Sequence, residues 1–150
     1  MKPLMVLLVT FAIAAVISKL MHRPDAWALS GRIAMVVMLV FTATAHFVFT
    51  KGMSMMLPSF IPGKAALVYS TGVMEMVAAV ALLIPALRLP AAWFLVLFLV
   101  LLLPANVYAA LKHVDYQKAS FHGNGPAYLW FRVPLQLFFI AWIYLSAIKA

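Results

Sequence analysis

The chain has 150 residues, of which 67% are apolar and 9% charged, with a net charge of +8 and no cysteine. Soluble domains are about 45–50% apolar and about 25% charged, so a water-soluble globule is excluded and one small membrane domain over 1–150 remains. The missing thiols exclude disulfides, thiolate nucleophiles and Cys-ligated iron–sulfur or zinc sites, so any electron must arrive through a bound cofactor or another subunit.

A membrane span needs about 20 apolar residues. Pro3–Met21 is the first such segment. It carries Ala12-Ile13-Ala14 like a signal peptide, but its single n-region charge, Lys2, favours a retained helix. Arg23-Pro24-Asp25 breaks the chain before the second segment, Trp27–Thr50, which Arg32 opens. Residues 53–62, with Pro58 and Pro62, are too short and too broken to span, and are expected to be re-entrant or interfacial. The third segment is Lys64–Leu87. Pro85, Arg88 and Pro90 make the next connection short, which predicts an antiparallel hairpin with the fourth segment, Leu89–Leu111. Pro104 predicts a kink in that segment. The polar stretch 112–126 ends in a Gly123-Asn124-Gly125-Pro126 turn, and the fifth segment is Ala127–Ile148. No segment alternates with period two, and lipid demands that every backbone group be satisfied internally, so these are helices and not barrel strands. Trp27, Trp93, Tyr128, Trp130, Trp142 and Tyr144 lie near segment ends, as an aromatic belt does.

The basic residues also lie at segment ends, where they snorkel to lipid headgroups. No basic run or stacking platform accompanies them, so no nucleic-acid partner is expected. Five spans place Lys2, Lys51, Lys64, Lys112 and Lys118 on the N-terminal face and Lys19, Arg23, Arg32, Arg88 and Lys149 on the opposite face. This tie leaves the orientation open.

Depth is more informative than charge count. Glu75 stands alone in an otherwise uncharged stretch, Ala65–Leu87, and the two other acids, Asp25 and Asp115, fall in connections. An ionisable group at bilayer depth costs about 2.5–3.5 kcal/mol on insertion scales, so it faces a protein interior. His46 lies near the end of the second segment, Asn106 near the end of the fourth, and Arg132 and Gln136 near the start of the fifth. All five therefore fall in the half nearer the N-terminal face, which predicts one polar pocket roofed by residues 53–62. Thr42 shares a helix face with His46, Thr71 with Glu75, and Arg132 with Gln136. A structural alternative is that Glu75 neutralises Arg132, or pairs with His46, as glue between helices. His46 and Glu75 show no HxxE or HExxH spacing, and the Met53-Ser54-Met55-Met56 run suits interfacial packing better than Cu(I), so no metal is expected. His113 and His122 read as solvated loop residues.

These features occur in a familiar order. Ser30-Gly31-Arg32 opens a helix that closes with Thr44-Ala45-His46-Phe47. Met56-Leu57-Pro58 and Ile61-Pro62 follow, then Ser70-Thr71-Gly72 before Glu75, Leu83-Ile84-Pro85, Leu103-Pro104-Ala105-Asn106, and Arg132-Val133-Pro134-Leu135-Gln136. This order resembles the DoxX-like family of small bacterial integral membrane proteins. The resemblance implies an all-α membrane protein whose four-helix transmembrane bundle spans about 27–148, with one additional N-terminal helix at about 3–21. It implies a multi-pass protein of the inner (cytoplasmic) membrane. It also implies a link to quinone-reducing or oxidative-stress systems, and a bundle similar to that of eukaryotic sterol isomerases.

The leading expectation is a membrane subunit that binds a small lipophilic ligand, quinone-linked and served by a redox partner subunit. Glu75 and His46 are the candidate catalytic residues, with Asn106, Arg132, Gln136, Pro58 and Pro62 as candidate ligand contacts. One alternative is a stand-alone enzyme, such as an isomerase acting on a lipophilic substrate. Another is a transport or scaffold protein, with Ala78, Ala79 and Ala81 available to pack a homodimer. Whether the chain is itself an enzyme stays open.

Overall fold

The structure, a computed structural model, describes residues 2–115, 118–123 and 125–149; Asn124 of the expected turn and the side chains of Lys2 and Tyr128 lie outside the described part. Its helices in chain order are α1 (Lys2–Leu20), α2 (Ala26–Val48), the short α3 (Thr50–Ser54), α4 (Lys64–Ala81), α5 (Arg88–Leu111) and α6 (Leu129–Ile143). A 3-10 turn, Pro126–Tyr128, leads into α6, and a π-helical turn, Tyr144–Ile148, continues it. Five helical stretches are long and apolar enough to cross a membrane, the fifth being Leu129–Ile148. The chain is thus an all-helical, multi-pass membrane protein.

Two helix ends differ from the sequence reading, each for a local reason. The second helix stops at Val48, and a bend at Phe49 separates it from α3. The third stops at Ala81 rather than Leu87, because residues 82–87 form successive turns. Pro85 disfavours helical backbone at Ile84, and the chain must reverse within a few residues to start α5. In contrast, α5 runs through Pro104 as one helix. Pro104 has no N–H, so the Val100 carbonyl lacks its usual donor.

α1 packs along α2, α2 along α4, and α5 along α6, while α4 also meets α5 and the π-turn meets α2, α5 and α6. Most of the buried apolar cluster comes from the first half of α2 (Ala34, Met35, Met38, Leu39), the end of α4 (Ala78, Ala79, Leu82), the start of α5 (Ala92, Leu95) and the end of α6 (Phe139, Ile143). By chain direction, these lie in the half farther from the N-terminal face, while Leu7 of α1 and Leu135 of α6 extend the cluster toward the nearer half. The farther half is closed by apolar packing, which at roughly 1.5–3 kcal/mol per fully buried large side chain in water-based scales is replaced in lipid by tight van der Waals fit. Small residues permit that fit. Ala78 and Ala79 are buried within the chain, so the alanines once free to pack a second copy are used internally. A side chain at Gly31 would place its Cβ 2.8 Å from the Ser146 Cβ, and the Trp142 indole donates to the Gly31 carbonyl at 2.9 Å. These contacts bind the start of α2 to the end of α6.

Candidate functional site

The deep polar residues fall into two groups, with Glu75 just past the middle of α4. The first joins α2 and α4. Glu75 lies 11 residues beyond Lys64, about 16 Å along α4 at 1.5 Å per residue, and is 4% exposed. Its Oε2 stands 3.2 Å from His46 Nε2, and its Oε1 accepts from the Thr42 hydroxyl. The other imidazole nitrogen, Nδ1, lies 3.1 Å from both the Val68 carbonyl and the Thr71 hydroxyl. Thr71 donates to the Val68 carbonyl as well, at 2.9 Å. The result is a continuous chain, Thr42–Glu75–His46–Thr71, of groups that each give or take a proton. Among the described residues, Glu75 makes its ion pair with His46 and not with Arg132.

Local sequence explains this arrangement. Thr42 and His46 are i, i+4 on α2, and Thr71 and Glu75 are i, i+4 on α4, so two facing columns present two groups each. Gly72, between the α4 pair, lets the helices meet. A Cβ there would sit 2.8 Å from the His46 Cβ and 3.2 Å from the Phe47 ring. Phe47 also stacks on Tyr69, with ring centroids 5.6 Å apart. The motif signal at Ser70-Thr71-Gly72 was visible in the sequence; the contact role of Gly72 was not.

The second group joins α5 and α6. Gln136 Nε2 donates to the Leu99 carbonyl at 2.6 Å, which sets the register of the two antiparallel helices. Arg132 lies one turn nearer the N-terminal face on α6. Asn106, seven residues from Leu99, lies on the same face of α5 and at a similar depth. Asn106 Nδ2 and Arg132 Nε are buried and have no hydrogen-bond partner among the described residues. An open groove of about 550 Å³ also runs along α5, on a different face from Asn106, lined by Pro58, Val100, Leu103, Pro104, Val107, Tyr108 and Leu111. Pro58 therefore sits against α5. Pro62 is exposed, and Phe60 between them is 82% exposed, whereas residues 53–58 are half-buried. The polar residues thus bond in two seams, Thr42, His46, Thr71 and Glu75 between α2 and α4, and Gln136 between α6 and α5.

The comparisons with known proteins bear on the same region. A family model, Domain of unknown function (DUF8561), matches residues 35–147. The chain belongs to that family. No curated protein and no solved structure matches it. The DUF8561 region contains both polar seams in full, from Thr42 to Gln136, and leaves out α1 and the start of α2.

Arg32 was read as a residue that snorkels from a helix end. It is instead 8% exposed, with Nη1 donating to the Ser146 carbonyl at 3.4 Å and Nη2 3.7 Å from Asp25 Oδ2. The π-turn that brings the Ser146 carbonyl to this position left no mark in the sequence pattern.

Proposed function

We propose that this chain is a membrane subunit that binds a small lipophilic ligand through the ligand's polar end, within a four-helix bundle of α2, α4, α5 and α6 flanked by α1. The single observation that carries the reading is the pair of buried donors, Asn106 Nδ2 and Arg132 Nε, without partners among the described residues. A buried donor left unsatisfied costs about 1–3 kcal/mol, and hydrocarbon supplies no water to meet it. A ligand with acceptor oxygens removes that cost. A quinone carbonyl has this chemistry. Gln136, already bonded to the Leu99 carbonyl, serves by holding α5 and α6 in register. The Glu75–His46 pair, with hydroxyls at both ends, suits the proton transfers that accompany quinone reduction.

The resemblance to the DoxX-like family supports an inner-membrane, quinone-linked role. With no cysteine in the chain, a redox partner subunit would supply the electrons. Native mass spectrometry and absorbance of protein purified in mild detergent test the proposal. A bound lipophile, diminished in Arg132→Gln and Asn106→Leu, is the expected result. Ligand-free protein that also takes up no added ubiquinone would end it.

The Glu75–His46 contact favours one further reading, an enzyme that shuttles a proton on a lipophilic substrate, such as an isomerase. Turnover by the isolated protein, lost in Glu75→Gln, would select it over the subunit reading.

A further inference from the structure

We propose that the cleft between α3 and the start of α4 is a phosphate site, with Lys51 and Lys64 as its cations, and that its occupant is the headgroup of an anionic phospholipid. The cleft shares no residue with the ligand reading above.

Lys51 and Lys64 come from separate helices to line one cavity. A bend at Phe49 ends α2. The Thr50 hydroxyl then donates to the His46 carbonyl at 2.8 Å, which ties α3 to the end of α2, and the Ser54 hydroxyl donates to the Thr50 carbonyl at 2.8 Å. Gly63, with a φ of 61°, turns the chain into α4, against which α3 packs. The result is an open cleft of about 570 Å³, lined by Thr50, Lys51, Ser54, Met55, Lys64 and Ala65.

The charge of this cleft argues for an anion. Among the described residues, neither ammonium group has an ion pair or a hydrogen bond. The three acids of the chain are engaged elsewhere. Glu75 is held by His46 and Thr42, Asp25 by Arg23 and Arg32, and Asp115 accepts from the Lys118 backbone N–H at 3.3 Å. Two like charges that face one cavity repel each other until an anion enters it. Lysine binds phosphate well as a point charge, and both hydroxyls already donate to carbonyls, so the two ammonium groups are the donors that remain.

The surroundings select a lipid. By chain direction the cleft stands at the N-terminal face, where α2 ends and α4 begins, the level of the headgroups. Phe60, between the two lysines in the chain, is 82% exposed, and Trp130, at the start of α6 on the same face, is 86% exposed. Rings this exposed at helix ends sit in the interface layer. Met55, Ala65 and the lysine stems add apolar surface to the cleft. A phosphate that carries acyl chains matches both the charge and that surface, whereas a free anion matches the charge alone. Basic pockets between helix ends are a recognised way to hold such a headgroup.

The experiment is native mass spectrometry of the full chain in mild detergent, titrated with phosphatidylglycerol or with phosphatidylcholine. Wild-type protein should prefer one phosphatidylglycerol. Lys51→Gln and Lys64→Gln should each reduce that preference about fivefold, the effect expected of one cation at a membrane surface. Lys51→Arg, which keeps the charge, should retain it. Lys118→Gln, on the same face but outside the cleft, and Arg132→Gln, in the ligand reading, should leave it unchanged. Circular dichroism checks that each variant is folded. A second arm adds inorganic phosphate to lipid-free protein and follows the melting temperature against chloride at equal ionic strength. Phosphate protection that needs Lys51, without any lipid preference, would overturn the lipid as occupant. Equal retention of the two lipids, or a fall in Lys118→Gln as large as in the cleft variants, would overturn the site.

Discussion

Gly72→Ala probes the point on which the α2–α4 seam depends. The added methyl would sit 2.8 Å from the His46 Cβ, about 0.6 Å short of an ordinary 3.4 Å contact. The His46 Cβ is fixed to its backbone and cannot rotate away, so the helices must part. If that movement passes to the side chains, the 3.2 Å His46–Glu75 contact lengthens to about 3.8 Å, beyond hydrogen-bond range. Overpacking of this kind costs about 1–3 kcal/mol. Alanine's helix preference over glycine returns about 0.8–1 kcal/mol. The net loss is therefore about 0–2 kcal/mol, or up to about 8 °C at 2–4 °C per kcal/mol for a chain of this size. Thermal unfolding followed by circular dichroism measures the stability term, and nitrogen NMR of the His46 imidazole measures the contact. A variant that melts above wild type with unchanged His46 resonances would refute the close-approach argument.

Glu75→Leu leaves His46 Nε2 without its partner and the Thr42 hydroxyl with the Leu39 carbonyl alone. Hydrogen bonds within membranes are worth about 0.6–2 kcal/mol each, so a clear drop in melting temperature is expected, whereas Glu75→Gln, which keeps an acceptor, should stay near wild type. Arg132→Gln removes a half-buried guanidinium whose Nε has no hydrogen-bond partner among the described residues. Its melting temperature should equal or exceed that of wild type, while retention of a co-purified lipophile falls about tenfold, the value of one charged hydrogen bond. Gln136→Leu loses the 2.6 Å bond to the Leu99 carbonyl and should cost about 1 kcal/mol by thermal unfolding, with lowered ligand retention from slippage of α5 against α6.

The sequence made the spans legible because hydropathy and length leave few alternatives in lipid. The i, i+4 pairs Thr42/His46 and Thr71/Glu75, also read from spacing, do line the α2–α4 seam. What it could not supply was azimuth between helices. Charge alone made Arg132 as good a partner for Glu75 as His46, and only the packing of α2 on α4 through Gly72 decides between them. Arg32 was misread for a similar reason. Its position near a helix start suggests snorkelling, but the π-turn at Tyr144–Ile148 redirects a carbonyl toward it and holds it inside. Pro58 and Pro62 marked a broken segment without revealing that Pro58 borders α5 while Pro62 stays exposed.

The most direct test is native mass spectrometry of the wild-type chain and Arg132→Gln, purified side by side in mild detergent without added ligand. The account predicts a lipophile with acceptor oxygens on the wild type and its loss from the variant, with both proteins folded. A wild-type protein free of any such molecule, and indifferent to added ubiquinone, would contradict it and leave both polar seams as bonds between helices.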